Sequence, residues 1–238
     1  MRGTVNGLWI GDQLGQMEKM SIRSFMQYRY EYRLWTYAPV EGVPEGVEIM
    51  DANTIIPHAE VFQYDPGTFG GRLMQGFSDL FRYKLLHQNG GWWADLDVTL
   101  LRPLPEADYS LARHCHTNYV ANVMHMPQGC PIMGDAYHVV KKLIGPRNKN
   151  WFLPVQVMIN LLEIADVPVE VTNFGHDFWP NLNRLIMEPC TAPDWNGVHW
   201  CASNWRFNGF DPEAPPHGGL YSKLCRYFNG SSWATAGA

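Results

Sequence analysis

Asp95 and Asp97 stand two residues apart in the stretch NGGWWADLDVT, after a glycine pair and two tryptophans. Two carboxylates that face one way repel each other at neutral pH, so such a pair calls for a cation, a shared proton or full solvation. A hard divalent ion meets that need. Mg²⁺ and Mn²⁺ take oxygen ligands, usually one or two protein carboxylates, with water and substrate phosphates supplying the rest. The competing reading of an isolated Asp-x-Asp is the charged end of an exposed strand.

The flanking elements must bring the two carboxylates to one side. Upstream, FSDLFRYKLLHQNG reads as a helix with Leu80, Phe81, Leu85 and Leu86 as its buried stripe. Ser78 is placed to cap it, Asp79 falls in a first turn where the helix dipole favours an anion, and Asn89-Gly90 supplies a left-handed stop. The glycine pair then turns the chain into WWADLDVTLL. Period-two alternation there predicts one strand, with Asp95, Asp97 and Thr99 on one face and Leu96, Val98 and Leu100 on the other. Trp92 and Trp93 read as core packing. Gly90-Gly91 reads as helix termination and not as a phosphate cradle, since no G-x-G-x-x-G or P-loop accompanies it.

The rest of the chain alternates strands and helices. TVNGLWI is a short buried strand closed by Gly11-Asp12, and Leu14, Met17, Met20 or Ser21, Phe25 and Tyr28 recur at helical spacing. YRLWTYA and GVEIMDA follow as strands, then YSLARH and YVANVMHM, with helices over PIMGDAYHVVKKLI and from about Pro154 in WFLPVQVMINLLEIA. This pattern marks an α/β fold. The last third, rich in Pro, Trp, Asn and Gly, reads as loops around the short strands PVEVT and GVHWC.

DLDVT also fits the Asp-x-Asp-x-Thr of haloacid dehalogenase-like phosphatases, in which the first Asp attacks phosphate and the second is a general acid. That chemistry expects a continuous apolar strand before the first Asp and a downstream Gly-Asp-x-x-x-Asp for magnesium. Here Gly134-Asp135 is followed four positions later by Val139, so that metal site is missing.

Taken together, FSDLFRYKLLHQNGGWWADLDVTLLRPL combines Ser-Asp-x-x-Arg on a helix, Gly-Gly, an aromatic and Asp-x-Asp. The block resembles the centre of the glycosyltransferases with a DXD sugar-binding motif. That group includes the initiating α-1,6-mannosyltransferase of yeast, capsular polysaccharide transferases and, more distantly, the glucosylating domains of large bacterial toxins. Two further matches lie near the ends of the chain. LWIGD, residues 8 to 12, is similar to the opening strand of these enzymes, and HWCASNW, residues 199 to 205, resembles their late His-to-Trp segment, where a loop closes over the donor.

The resemblance implies a GT-A-like α/β fold in a single domain over residues 1–228, a Rossmann-type mixed sheet with flanking helices, while the small polar residues of NGSSWATAGA read as a flexible tail at 229–238. It implies a metal-dependent, retaining transfer of a sugar from a nucleotide diphosphate sugar, UDP favoured, to an acceptor hydroxyl. Carried onto this sequence, it has Asp79 and Arg82 hold the donor's ribose and sugar, Asp95 touch hydroxyls and reach Mn²⁺ or Mg²⁺ through water, and Asp97 bind the metal directly. His199 completes the metal site, Trp9 stacks on uracil, and Ser203 and Trp205 contact the diphosphate. Asn122 falls where the family tends to place an Asn. Without the resemblance, Asp79 and Arg82 are an i, i+3 surface pair worth only ~0.3 kcal/mol, and Trp9 ends a buried strand. Asp135 and Asp177 are the carboxylates open to a nucleophile's role. A nucleotide-sugar-binding protein without turnover is the non-catalytic alternative.

Composition narrows the partners. Net charge is -5 over 238 residues, with 18 Lys and Arg scattered along the chain, so no basic stripe for nucleic acid is present. The longest apolar stretch is interrupted by Pro154, Gln156, Asn160 and Glu163 and is expected not to span a bilayer, and the N-terminus shows no signal-peptide run. A soluble, cytoplasmic protein is the expectation. Five cysteines, at 115, 130, 190, 201 and 225, form no C-x-x-C pair and read as mostly reduced and structural. Thirteen per cent aromatic residues, ten of them Trp, exceed what a core needs and suit sugar or base faces. The acceptor stays open: a saccharide, a lipid-linked glycan, a protein side chain or a hydroxylated base.

Overall fold

The computed structural model describes residues 2–66, 73–114, 119–175, 179–189, 194–216 and 218–230. Its strands are β1 (Thr4–Trp9), β2 (Glu31–Thr36), β3 (Glu48–Asp51), β4 (Gly91–Ala94), β5 (Val98–Leu100), β6 (Ser110–His114), β7 (Tyr119–Met126), β8 (Glu170–Gly175) and β9 (Gly197–His199). Its α-helices are α1 (Gln16–Gln27), α2 (Gln75–Asn89), α3 (Pro131–Leu143), α4 (Leu153–Ala165), α5 (Trp179–Met187), α6 (Ala202–Phe207) and α7 (Leu220–Asn229).

All nine strands form one mixed sheet in the order β3-β2-β1-β4-β7-β6-β8-β9-β5. From β3 to β4 the strands are parallel, joined by crossovers through α1 and α2, and β7 then runs antiparallel to β4. β6 pairs antiparallel with β7 and parallel with β8, and the far edge ends in the antiparallel pair β9 and β5. The position of β5 shapes the molecule. It lies five places from β4 in the sheet, yet only Asp95, Leu96 and Asp97 separate them in sequence. A link that short reaches at most roughly 14 Å. The sheet must therefore curl until its edge returns beside its centre, and the Asp-x-Asp is the link that closes the curl.

WWADLDVTLL is thus two strands and not one. β4 leaves its ladder with β7 at Ala94, opposite Val123, and the amide of Asp95 goes to the carbonyl of Asn122 at 2.8 Å. The chain then turns, Val98 donating back to the carbonyl of Asp95 at 3.2 Å, and β5 takes β9 as its partner. The expected alternation fails at Thr99, which is fully buried and accepts a hydrogen bond from Trp200 Nε1 at 2.8 Å.

Two aromatic-rich cores cover the sheet's faces. One packs α2, α3 and α4 through Phe77, Phe81, Leu85, Met133 and Met158, and the other packs α1 through Ile22, Phe25 and Trp92. α2 begins a turn earlier than expected, at Gln75, with Met74 before it and no side-chain cap, so Ser78 lies inside the helix. Gly76 allows this start, since a Cβ there would strike the Tyr64 ring. Gly90, at φ +66, stops the helix as expected.

The last third departs from the expected loops. It carries three helices, and a third core of Leu182, Ile186, Trp200, Trp205, Tyr221 and Cys225 packs with Met17 and Met20 of α1. Leu220, Tyr221, Leu224, Cys225 and Phe228 supply the helical period of α7, which Pro, Gly and Asn on either side obscure in the sequence. Asn229, expected to begin a loose tail, ends α7 and is tied down: its Nδ2 donates to Gln16 and its Oδ1 accepts from Arg23 at 2.7 Å. Residues 231–238 of that tail lie outside the described residues. Cys130, Cys201 and Cys225 are buried, and among the described residues no helix is long and apolar enough to cross a membrane.

Candidate functional site

The Asp95–Asp97 turn sits at the C-terminal end of β4, and three residues pin it. Ser21 Oγ of α1 donates to the carbonyls of Val98, at 2.5 Å, and Asp95, at 3.4 Å. Ser24 Oγ, one turn on, accepts the amide of Leu100 at 2.8 Å. The carbonyl of Asp97 accepts the amide of Trp200 at 2.8 Å. The turn is therefore a fixed frame for its two carboxylates. The serines' part in it went unread in the sequence, where helical period singled out only the apolar face.

Asp95 belongs to a cluster built on α2. Its Oδ1 accepts from Trp93 Nε1 at 2.8 Å and lies 3.1 Å from Arg82 Nη2, which is also 3.4 Å from Asp79 Oδ1. Arg82 Nε and Nη2 donate to the carbonyl and hydroxyl of Ser78, Nη1 donates to the carbonyl of Ala121, and the guanidinium lies 5.0 Å from the Trp93 ring centroid. Asp79 and Arg82 share a helix face as expected, but both are buried, which rules out the surface-pair reading. One guanidinium serves the buried Asp79 and the half-buried Asp95, so neither is fully compensated. Burial pushes Asp79 up to about 7, with Arg82 opposing and Asp95 adding to the rise, and burial likewise raises Asp95. Trp93, read as core alone, is a direct partner of Asp95, and its place two residues before the carboxylate was the signal available.

Asp97 belongs to the late segment. Val98 pairs with His199 in the β5-β9 ladder, which sets His199 Nε2 3.3 Å from Asp97 Oδ1, while Asp97 Oδ2 accepts the amide of Ala202 at 2.9 Å. Burial alone would raise this carboxyl, but His199 and the two amides it accepts bring it down to about 2. Burial disfavours a charge on His199, yet the Cys201 sulfur and Asp97 outweigh it and hold the imidazole well above its ordinary range. Asp95, Asp97 and His199 each present one ligand atom, and these atoms lie within 4.8 Å of one another. Two carboxylate oxygens and an imidazole nitrogen are a donor set that fits a divalent cation of the Mn²⁺ kind.

The remaining expected residues fall at different distances from this centre. Trp9 ends β1 at the same edge of the sheet, half-buried, with an indole N–H that has no hydrogen-bond partner; a Cβ on Gly11 would come within 3.0 Å of it. Asn122 is buried and meets Asp95 through its backbone carbonyl. Ser203 is half-buried in α6, next to the amide that holds Asp97. Trp205 is a correction. It is fully buried, its N–H donates to the carbonyl of Trp200 at 2.8 Å, and its ring packs 4.5 Å from Tyr221, so it seats α6 and has no face for a diphosphate. Asp135 is exposed on α3, outside the cluster, and Asp177 lies outside the described residues.

Residues 19–116 match the family model described as glycosyltransferase sugar-binding region containing DXD motif, which bears out the resemblance of the central block. The matched stretch includes Asp79, Arg82, Asp95 and Asp97, whereas His199 lies beyond it. Among solved structures, a chain titled PaToxG Glycosyltransferase is similar at 14% identity and a TM-score of 0.49, over 68% of this chain and 69% of that one. No curated protein matches the chain.

Proposed function

We propose that this protein is a metal-dependent, retaining glycosyltransferase that moves a sugar from a nucleotide diphosphate sugar, UDP favoured, to an acceptor hydroxyl. The observation that carries the reading is the convergence of Asp95, Asp97 and His199 at the end of a central strand, inside and beside a DXD sugar-binding region. Open α/β sheets bind ligands at the C-terminal ends of their strands.

Asp97, ionised at neutral pH, and His199 would hold Mn²⁺ or Mg²⁺, with Mn²⁺ favoured by the imidazole nitrogen. When bound, the ion supplies Lewis-acid neutralisation of the charge on a departing diphosphate. Asp95, fixed through Oδ1 by Trp93 and Arg82, points its carboxylate toward the same centre with its angle set. Asp79 and Arg82 stand on the sugar side of Asp95 in this reading, Trp9 offers its ring to the base, and Ser203 offers a hydroxyl to the diphosphate. Retention by attack on the face that the leaving group vacates requires no enzyme nucleophile. The phosphatase reading asks for a downstream Gly-Asp-x-x-x-Asp, and Val139 stands where its second Asp would be.

Calorimetric titration with UDP and GDP, each with and without Mn²⁺, tests the proposal. Mn²⁺-dependent UDP binding is expected in the wild type and absent in Asp97→Asn, with the fold intact. In the same titration Trp9→Ala should weaken UDP binding by about 1–3 kcal/mol, as other base-stacking aromatics do. Binding of neither nucleotide would reject the proposal. Binding without hydrolysis or transfer from any UDP-sugar would leave the non-catalytic alternative.

A further inference from the structure

We infer that Cys201 is a positioning residue for His199, holding the imidazole by its Nδ1 edge so that Nε2 faces the cation site; this rests on the metal-dependent reading above. Cys201 Sγ lies 3.6 Å from His199 Nδ1 and 3.8 Å from the carbonyl of His199. A thiol hydrogen turned to that carbonyl would leave sulfur lone pairs for an Nδ1–H. On the other side of the ring, Nε2 is 3.3 Å from Asp97 Oδ1. The imidazole is thus clamped between a sulfur and the carboxylate that shares its ion. Histidines that bind metals commonly donate the other ring N–H to a fixed acceptor, which sets both the tautomer and the ring angle.

The backbone is shaped for this contact. Cys201 joins β9 to α6 at φ +51, a left-handed conformation that non-glycine residues seldom adopt. That bend turns its side chain back onto the residue two before it, while the next amide, Ala202, goes forward to Asp97 Oδ2. A single reversal of the chain therefore fixes both late ligands. Cys201 is buried, and the core around Trp200 and Trp205 encloses it.

The test compares wild type, Cys201→Ala and Cys201→Ser. Mn²⁺ affinity, read from the electron paramagnetic resonance of the free ion, should fall about tenfold or more in Cys201→Ala. Serine keeps a lone-pair donor at the site and should recover most of that loss. Equal affinity in Cys201→Ala, or equal loss in both variants, overturns the inference. A second readout needs no metal. In the metal-free wild type the His199 Nδ1–H should give a proton resonance shielded from solvent exchange, absent in Cys201→Ala and present in Cys201→Ser. Lack of that resonance in the wild type, or its persistence in Cys201→Ala, also overturns the inference. A wild type that shows the resonance but binds no Mn²⁺ rejects the metal-dependent function while upholding the thiol–imidazole bond.

Discussion

Asp95 and Asp97 are two residues apart but belong to different regions, one anchored to α2 and the other to the β9-α6 segment. On the α2 side one buried and one half-buried carboxylate share one guanidinium, and both are pushed toward the protonated form. On the β9-α6 side a single carboxylate has an imidazole and an amide to itself and is held ionised at about 2. The same residue type is thus an undercompensated group in one setting and a ready ligand in the other. The number of compensating donors, and not burial alone, decides which.

The comparison breaks most severely at Arg82. Arg82→Ala leaves the buried Asp79 and the half-buried Asp95 without their cation and should cost about 3–5 kcal/mol, read as a lowered midpoint in urea. A loss under about 1 kcal/mol would mean that the two carboxylates do not depend on it. The late region is tested by Trp205→Phe, which keeps the ring packing but leaves the carbonyl of Trp200 without its donor. It should cost about 1–3 kcal/mol and weaken Mn²⁺ binding, since the seat of α6 carries the amide that holds Asp97. Unchanged Mn²⁺ affinity would separate α6 from the site.

A pH series sharpens the contrast. An Asp whose folded value is raised to about 7 from an ordinary 3.8 contributes stability that is fully present below about pH 4 and lost as pH rises through 7. Asp97, held at about 2, contributes with the opposite sign, its stability lost only as pH falls through that value. Melting temperature against pH should therefore decline less steeply from pH 4 to 7 in Asp79→Asn than in the wild type. Parallel curves would remove Asp79 as the titrating group.

The parts of the site that could be read in advance are those with short-range signatures. The stripe of α2 and its glycine stop landed where expected, but Ser78 braces Arg82 in place of capping the helix, Asp79 lies past the first turn, and the Asp-x-Asp links two strands in place of lying on one. Trp205 was misplaced because an aromatic in a loop-like stretch can face ligand or core with the same spelling. Trp93 and Cys201 were read as packing because no periodicity distinguishes a buried ring or thiol that touches a carboxylate or imidazole from one that touches only carbon.

By itself the sequence determined the alternation of strands and helices, α2 with its glycine stop, and the DXD block beside it, because those follow from local period and nearby residues. Only the tertiary structure decided that β5 pairs with β9 at the far edge of a curled sheet. That pairing joins Val98 to His199 across about a hundred residues of chain and brings the imidazole to Asp97. Non-local strand pairing is set by which edges the rest of the core leaves open, and no window of sequence around either residue contains that information.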